Sequence, residues 1–294
     1  MRRRLLATLA IAALGAVLPA AAGCGTTTNG TPSQSSAPNG YPQRIVSLSA
    51  SATEMLFAIG AGSLVVAVDE YSNYPANAPK TSLSGFTPNA EAIAAKTPDL
   101  VVLSDDSKGI VAQLNNLKIK TQLAPAAKTI DDTYRQIKEL GDVTGHAKEA
   151  GALNQKIKDD LAGLVKDLPK RDKPLTYFYE LDPSLYTATS KTFIGSLFSA
   201  AGLVNVADAA DPSNTGYPKM SAEALIKANP DMVVLADSVM GETPDKVKAR
   251  AGWSGVTAVT KGQIVVLDSD IASRWGPRVV DLMRSIVDAV KNAK

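Results

Sequence analysis

Asp270 and Arg274 stand four residues apart near the end of the chain, a carboxylate and a guanidinium suited to reading the amide or phosphate edge of a small molecule. The same spacing also permits a mutual surface ion pair worth about 0–1 kcal/mol, and on sequence alone both readings stand. Trp275 follows them and joins the candidate set. A second group is aromatic: Tyr71, Tyr74, Phe86, Tyr179, Tyr186 and Tyr217, each next to the end of an apolar run or just ahead of a helix. Flat rings with hydroxyl tips suit a large planar or macrocyclic ligand, gripped by stacking and hydrogen-bonded at its edge. Any one ring is as readily core, as Tyr177, Phe178 and Trp253 are read to be, so their clustering carries the ligand reading. Glu91 and Glu223 form a third pair. Each sits in the first turn of a short helix, where a carboxylate complements the helix dipole; the sharper reading makes them matched anions that engage two arginines on a partner.

Other chemistries find no residues. There is no GxSxG elbow, HExxH pair or phosphate-binding loop. Ser49 and Ser51 lack a base, since the one histidine, His146, falls at a linker helix. One cysteine, Cys24, excludes a disulfide framework and a CxxC pair, and the single histidine argues against a His-rich metal site. No enzyme activity, metal or resident cofactor is therefore expected. With 31 basic and 29 acidic residues in 294, and Arg2, Arg3 and Arg4 placed in a leader, the body is close to neutral and carries no footprint for nucleic acid.

These residues need a scaffold, and the hydrophobic pattern describes one. Short β-branched runs at 44–48, 64–68, 100–103 and 119–123, then at 175–180, 203–206, 232–235 and 264–267, alternate with helical stretches. That order predicts parallel sheets covered on both faces, an α/β fold. The second series repeats the first: Asn89 to Asp106 lies over Ser221 to Ser238 at an offset of about 132 residues, each with a capping Asn or Ser, a short helix, Pro-Asp and an apolar strand. Ligands of such sheets bind beyond the carboxyl ends of the strands. Between the series, Thr129-Ile-Asp-Asp132 has capping-box spacing, Gly145 breaks the helix, and residues 146–168 form a second helix of about 34 Å that joins the lobes. The resulting division is 1–23 signal peptide, 24–43 lipidated cysteine and flexible tether, 44–128 first lobe, 129–169 linker helices and 170–294 second lobe.

The leader reading rests on three arginines, an apolar stretch from Leu5 to Leu18 and small residues up to Gly23. That stretch is too short to span a bilayer comfortably. Ala21-Ala22-Gly23-Cys24 resembles a bacterial lipobox, with Ala21 where Leu or Val is usual. The uncharged Ser, Thr, Asn, Gly and Pro residues after it read as a tether, holding the body at the outer face of the cell membrane.

From Arg44 onward the chain resembles the class III periplasmic solute-binding proteins, which deliver cobalamin, ferric siderophores and haem to ABC importers. The resemblance lies in Arg44-Ile-Val-Ser-Leu-Ser-Ala-Ser-Ala-Thr-Glu54, Tyr71-Ser-Asn-Tyr-Pro75, the two repeats, and the loop from Asp270 to Arg278. It implies two Rossmann-like α/β lobes, a ligand cleft between them and one long bridging helix. It also implies a monomer without catalysis that docks on a permease dimer with ATPase subunits through Glu91 and Glu223. Among family members the chain looks most like the cobalamin binders. Tyr71 matches their cleft tyrosine, Tyr186 and Tyr217 fall at or near wall positions, and Asp270 and Arg274 match the acid and base that contact the corrinoid. Phe86 lies one place from a position that is aromatic in relatives and Gly85 here. Ferric siderophore or haem is the alternative cargo, with Tyr71 or Tyr179 available as an axial haem ligand. A lipid-anchored hydrolase or a sensor is the remote alternative.

Overall fold

The computed structural model describes residues 40–293. The leader, Cys24 and all but the last residues of the tether lie outside the described residues. The first sheet contains β1 (Ile45–Leu48), β2 (Val65–Asp69), β3 (Lys80–Leu83), β4 (Leu100–Leu103) and β5 (Lys120–Leu123), in the order β3-β2-β1-β4-β5. The second contains β6 (Thr176–Glu180), β7 (Val204–Asn205), β8 (Met232–Leu235) and β9 (Ile264–Val266), in the order β7-β6-β8-β9. Every pairing is parallel. The helices are α1 (Ala50–Ala58), α2 (Ala90–Ala94), α3 (Ile110–Asn116), α4 (Ile130–Thr144), α5 (Ala147–Lys166), α6 (Phe193–Ala200), α7 (Ala222–Ala228), α8 (Pro244–Lys248), α9 (Thr257–Thr260), α10 (Ser269–Ala272) and α11 (Val279–Lys291). This is the α/β architecture read from the pattern. The strand missing from that reading is β3, a polar edge strand of sequence KTSL with one buried residue.

Side chains alternate across each strand, and the alternation divides the core. Ile45, Leu100, Val102, Tyr177 and Tyr179 face a cluster that both sheets share and that includes Ile137, Ile157 and Ile286. Val46, Leu48, Val101 and Leu103 face a cluster confined to the first sheet, closed by Ile93 of α2. Phe178, Val233 and Leu235 face its counterpart in the second sheet, closed by Leu225 of α7.

The repeat has structural equivalents throughout. Asn89 and Ser221 cap α2 and α7 by accepting from Ala92 N and Ala224 N. Asp99, past α2, accepts from the backbone N–H groups of Gln43 and Arg44 at the start of β1. Asp231, past α7, accepts from Thr176 N and Oγ1 at the start of β6. Each Pro-Asp thus secures the head of the neighbouring central strand. The predicted capping box of Thr129 and Asp132 opens α4, and Gly145 ends it with φ +79°. At 1.5 Å per residue, the 20 residues of α5 extend about 30 Å. His146 precedes α5 with Nδ1 on Thr144 O, a helix-junction contact.

Candidate ligand-binding site

The loop after β2 and the loop from β9 to α11 meet, bringing the carboxyl ends of the two sheets together. Arg274, in the second loop, is buried at 8% exposure. Its Nη1 donates to Glu54 Oε1 at 3.0 Å, and its Nη2 donates to Tyr71 O at 2.9 Å and Asp270 Oδ1 at 3.0 Å. Arg278 adds two bonds to Glu54, from Nε to Oε2 at 3.0 Å and from Nη2 to Oε1, and its guanidinium lies 4.3 Å from the centre of the Tyr74 ring. The hydrogen bonds to Glu54 hold Arg278 above the usual arginine range against the cost of burial. Glu54, 2% exposed in α1, is thus an anion shared by two arginines of the segment between α10 and α11. Gly276 makes room for it, since a Cβ there would stand 3.1 Å from Glu54 Oε2.

Asp270 and Arg274 do form the ion pair that was one of their two readings, but the arginine is internal. What remains accessible is Asp270, whose side chain is 50% exposed and whose Oδ2 accepts from Asn73 Nδ2 at 2.6 Å. Beside it Tyr71 and Phe86, both exposed, meet edge to face with centroids 5.4 Å apart. Gly85 explains why the ring comes one place late: a Cβ at that position would lie 2.6 Å from Leu48 O. In the second sheet's half Tyr186 pairs in an antiparallel bridge with Lys219, whose Nζ is 5.4 Å from the ring centre. Exposed Tyr217 is two residues along the same segment, its hydroxyl pKa raised by partial burial.

Two candidates stand elsewhere. Tyr179 is 1% exposed and meets Phe198 edge to face at 5.9 Å, so it belongs to the shared core and offers neither a wall nor an axial oxygen to a ligand. Burial drives its hydroxyl pKa strongly up. Trp275 packs on the same core, and its Nε1 donates to Gln136 Oε1 at 3.0 Å, which makes it a joint between the loop and α4. Glu91 and Glu223 are exposed in matching register, each two residues before the buried anchor of its helix, Ile93 or Leu225. A backbone hydrogen bond at its own N–H and one from Ser221 lower the Glu223 pKa.

The sequence reading missed Glu54, although a lone acid among the small and apolar residues of ASATEMLFA signals a need for partners. It also missed a second acidic cluster at the carboxyl ends of β6 and β8. Glu180, fully buried, takes both nitrogens of a bidentate Arg250, which also reaches Glu242 Oε2 at 2.8 Å. Asp237 beside it is 1% exposed, and neither carboxylate oxygen has a hydrogen-bond partner. Burial, then the neighbouring Glu180 charge, pushes the Asp237 pKa up to about 6. Two depressions on other faces, of about 300 Å³ by Leu168 and Arg171 and about 500 Å³ by Phe57 and Asn77, contain none of the candidate side chains.

Residues 45–271 match the family model described as periplasmic binding protein, and the chain belongs to that family. It is a substrate-binding component of an ABC transporter, non-enzymatic, working with a permease, its ATPase and a small-molecule ligand. Among relatives, an ABC transporter substrate-binding lipoprotein of Bacillus subtilis, YvrC, is 30% identical over 85% of this chain and 80% of its own length. A cobalamin-binding protein of Halobacterium salinarum is 30% identical over 85% of this chain and 70% of its own. A crystal structure of a possible iron-binding periplasmic protein from Staphylococcus epidermidis superposes with TM-score 0.74 at 28% identity, covering 85% of this chain and 98% of that one.

Proposed function

We propose that the protein captures cobalamin or a related corrinoid between its two lobes and delivers it to the permease, held at the outer face of the cell membrane by a lipid on Cys24. The observation that carries this reading is the charge left at the junction. With Arg274 consumed by Glu54, Tyr71 O and Asp270, the accessible group beside the Tyr71 and Phe86 rings is a carboxylate, an acceptor. A corrinoid edge supplies amide N–H donors to such a group, whereas the carboxylates of haem would repel it. The relative named a cobalamin-binding protein supports the same cargo, and the relative named a lipoprotein supports the anchor. A ferric siderophore or haem is the second reading, favoured by Lys219 over Tyr186, a cation at the other aromatic wall.

Calorimetric titration of residues 25–294 with cyanocobalamin, haem and a ferric hydroxamate tests the proposal. Saturable cyanocobalamin binding, weakened by about 1.5–3 kcal/mol in Asp270→Ala, is expected; saturation by haem or the hydroxamate alone overturns the corrinoid assignment. Docking is assigned to Glu91 and Glu223. Their double alanine variant is expected to stop uptake by cells while leaving ligand affinity unchanged, and a fall in affinity would refute the separation of the two faces. Replacing Cys24 with Ser is expected to release the protein from membranes.

A further inference from the structure

The bond between Asn73 and Asp270 spans the junction of the two lobes and differs from its neighbours in one respect. Arg274 and Glu54 are buried, so their mutual bond cannot be exchanged for one to a ligand without leaving charge unpaired. Asn73 is exposed and Asp270 half exposed, so water and ligand reach the bond from Nδ2 to Oδ2. The loop that carries Asn73 is held from behind. Ser72 N donates to Asp69 Oδ1 at 2.9 Å, the Ser72 hydroxyl meets Thr53 Oγ1 at 3.0 Å, and Tyr74 lies under Arg278. On the other side Arg274 holds Asp270 Oδ1, leaving Oδ2 as the oxygen to be claimed.

The donor now on that oxygen is a primary carboxamide, the group a corrinoid carries at its edge. We propose that Asn73 is a specificity-determining residue: its side chain occupies the ligand-reading oxygen of Asp270 as an internal stand-in for a ligand amide, and an incoming amide must displace it. The proposal rests on the corrinoid reading for the ligand and on geometry for the tie. It implies that a ligand with only carboxylate edges gains nothing at Asp270, because it cannot replace the lost donor. It further implies that capture exchanges an interlobe bond for a bond from ligand to lobe.

The test is cyanocobalamin affinity of wild type, Asn73→Ala and Asn73→Asp, with hydrogen exchange of the ligand-free proteins. Removing the competitor is expected to tighten cyanocobalamin binding about 3- to 10-fold, the size of one net hydrogen bond. Asn73→Asp, which sets a second carboxylate against Asp270, is expected to speed ligand-free exchange over residues 71–75 and 269–274, as Asn73→Ala does. Unchanged or weaker cyanocobalamin binding by Asn73→Ala overturns the stand-in. Unchanged exchange in both variants overturns the tie whatever the ligand is, while failure of the wild type to bind cyanocobalamin with exchange altered as expected rejects the corrinoid reading and confines the inference to the tie.

Discussion

Glu54 and Glu180 are buried near the carboxyl ends of β1 and β6, the strands that open the two sheets, and they are neutralised in opposite ways. Glu54 takes its two arginines from the other sheet's half, so one anion meets two cations and the contact ties the halves together. Glu180 shares a single arginine of its own half with Glu242, and Asp237 beside it has none. With Asp270 also on Arg274, the first side balances two cations against two carboxylates, whereas the second sets Glu180, Glu242 and Asp237 around one arginine and so holds an excess of acid. The first cluster sets how the halves meet; the second makes its own half sensitive to protons.

Removing Glu54 is the severest way to break the contrast. Glu54→Ala leaves Arg274 and Arg278 without their shared anion and is expected to cost about 3–5 kcal/mol in denaturant unfolding; a loss below about 1 kcal/mol would show the tie to be incidental. Asp231→Ala and Asp99→Ala probe what the halves share. Each is expected to cost about 1.5–3 kcal/mol by releasing two donors at a strand head from a charged acceptor, two backbone N–H groups for Asp99 and the Thr176 N–H and hydroxyl for Asp231, and clearly unequal losses would show that the repeat is not energetically equivalent.

The acidic cluster predicts a pH dependence. Asp237 holds its proton to about pH 6 when folded, against an ordinary value of 3.8. Its contribution to stability is therefore present below about pH 4 and is lost as the pH rises through 6. Glu180, Glu242 and Arg250 around it, and Lys246 beyond Glu242, set that balance. Asp237→Asn is expected to raise the melting temperature by a few degrees at pH 8, where about 1 kcal/mol moves a domain of this size by roughly 2–4 °C, and not at pH 4. An equal gain at both values would remove the proton from the account. Smallest of all, breaking the surface pair of Lys156 and Asp160 on α5 is expected to change stability by less than about 0.5 kcal/mol.

Much of this was legible in the chain because parallel strands are continuous apolar runs and the repeat announces them twice. β3 was not, because KTSL carries no such run; the edge strand β5, KTQL, is as polar but follows directly on the apolar Ile119. Tyr179 was legible in principle: it shares a strand face with Tyr177, and two residues on one face of a buried strand share one fate. Proximity to a strand's end outweighed that alternation in the reading of the sequence. For Asp270 and Arg274 the sequence left a mutual pair and a ligand contact both open, because pattern does not reveal burial, and burial is what turns the arginine inward. Asp237 had no signal, since an aspartate after a strand is ordinary until its surroundings are known.

The core cluster that runs from β1 and α1 through α4 and α5 to β6 and α11 makes the described chain one thermodynamic body with two sheets. If either half melts alone, the other is left with half of that cluster facing water. Heating should therefore produce a single calorimetric peak whose direct and van't Hoff enthalpies agree. Expressed separately, either half would present an apolar face to solvent and self-associate.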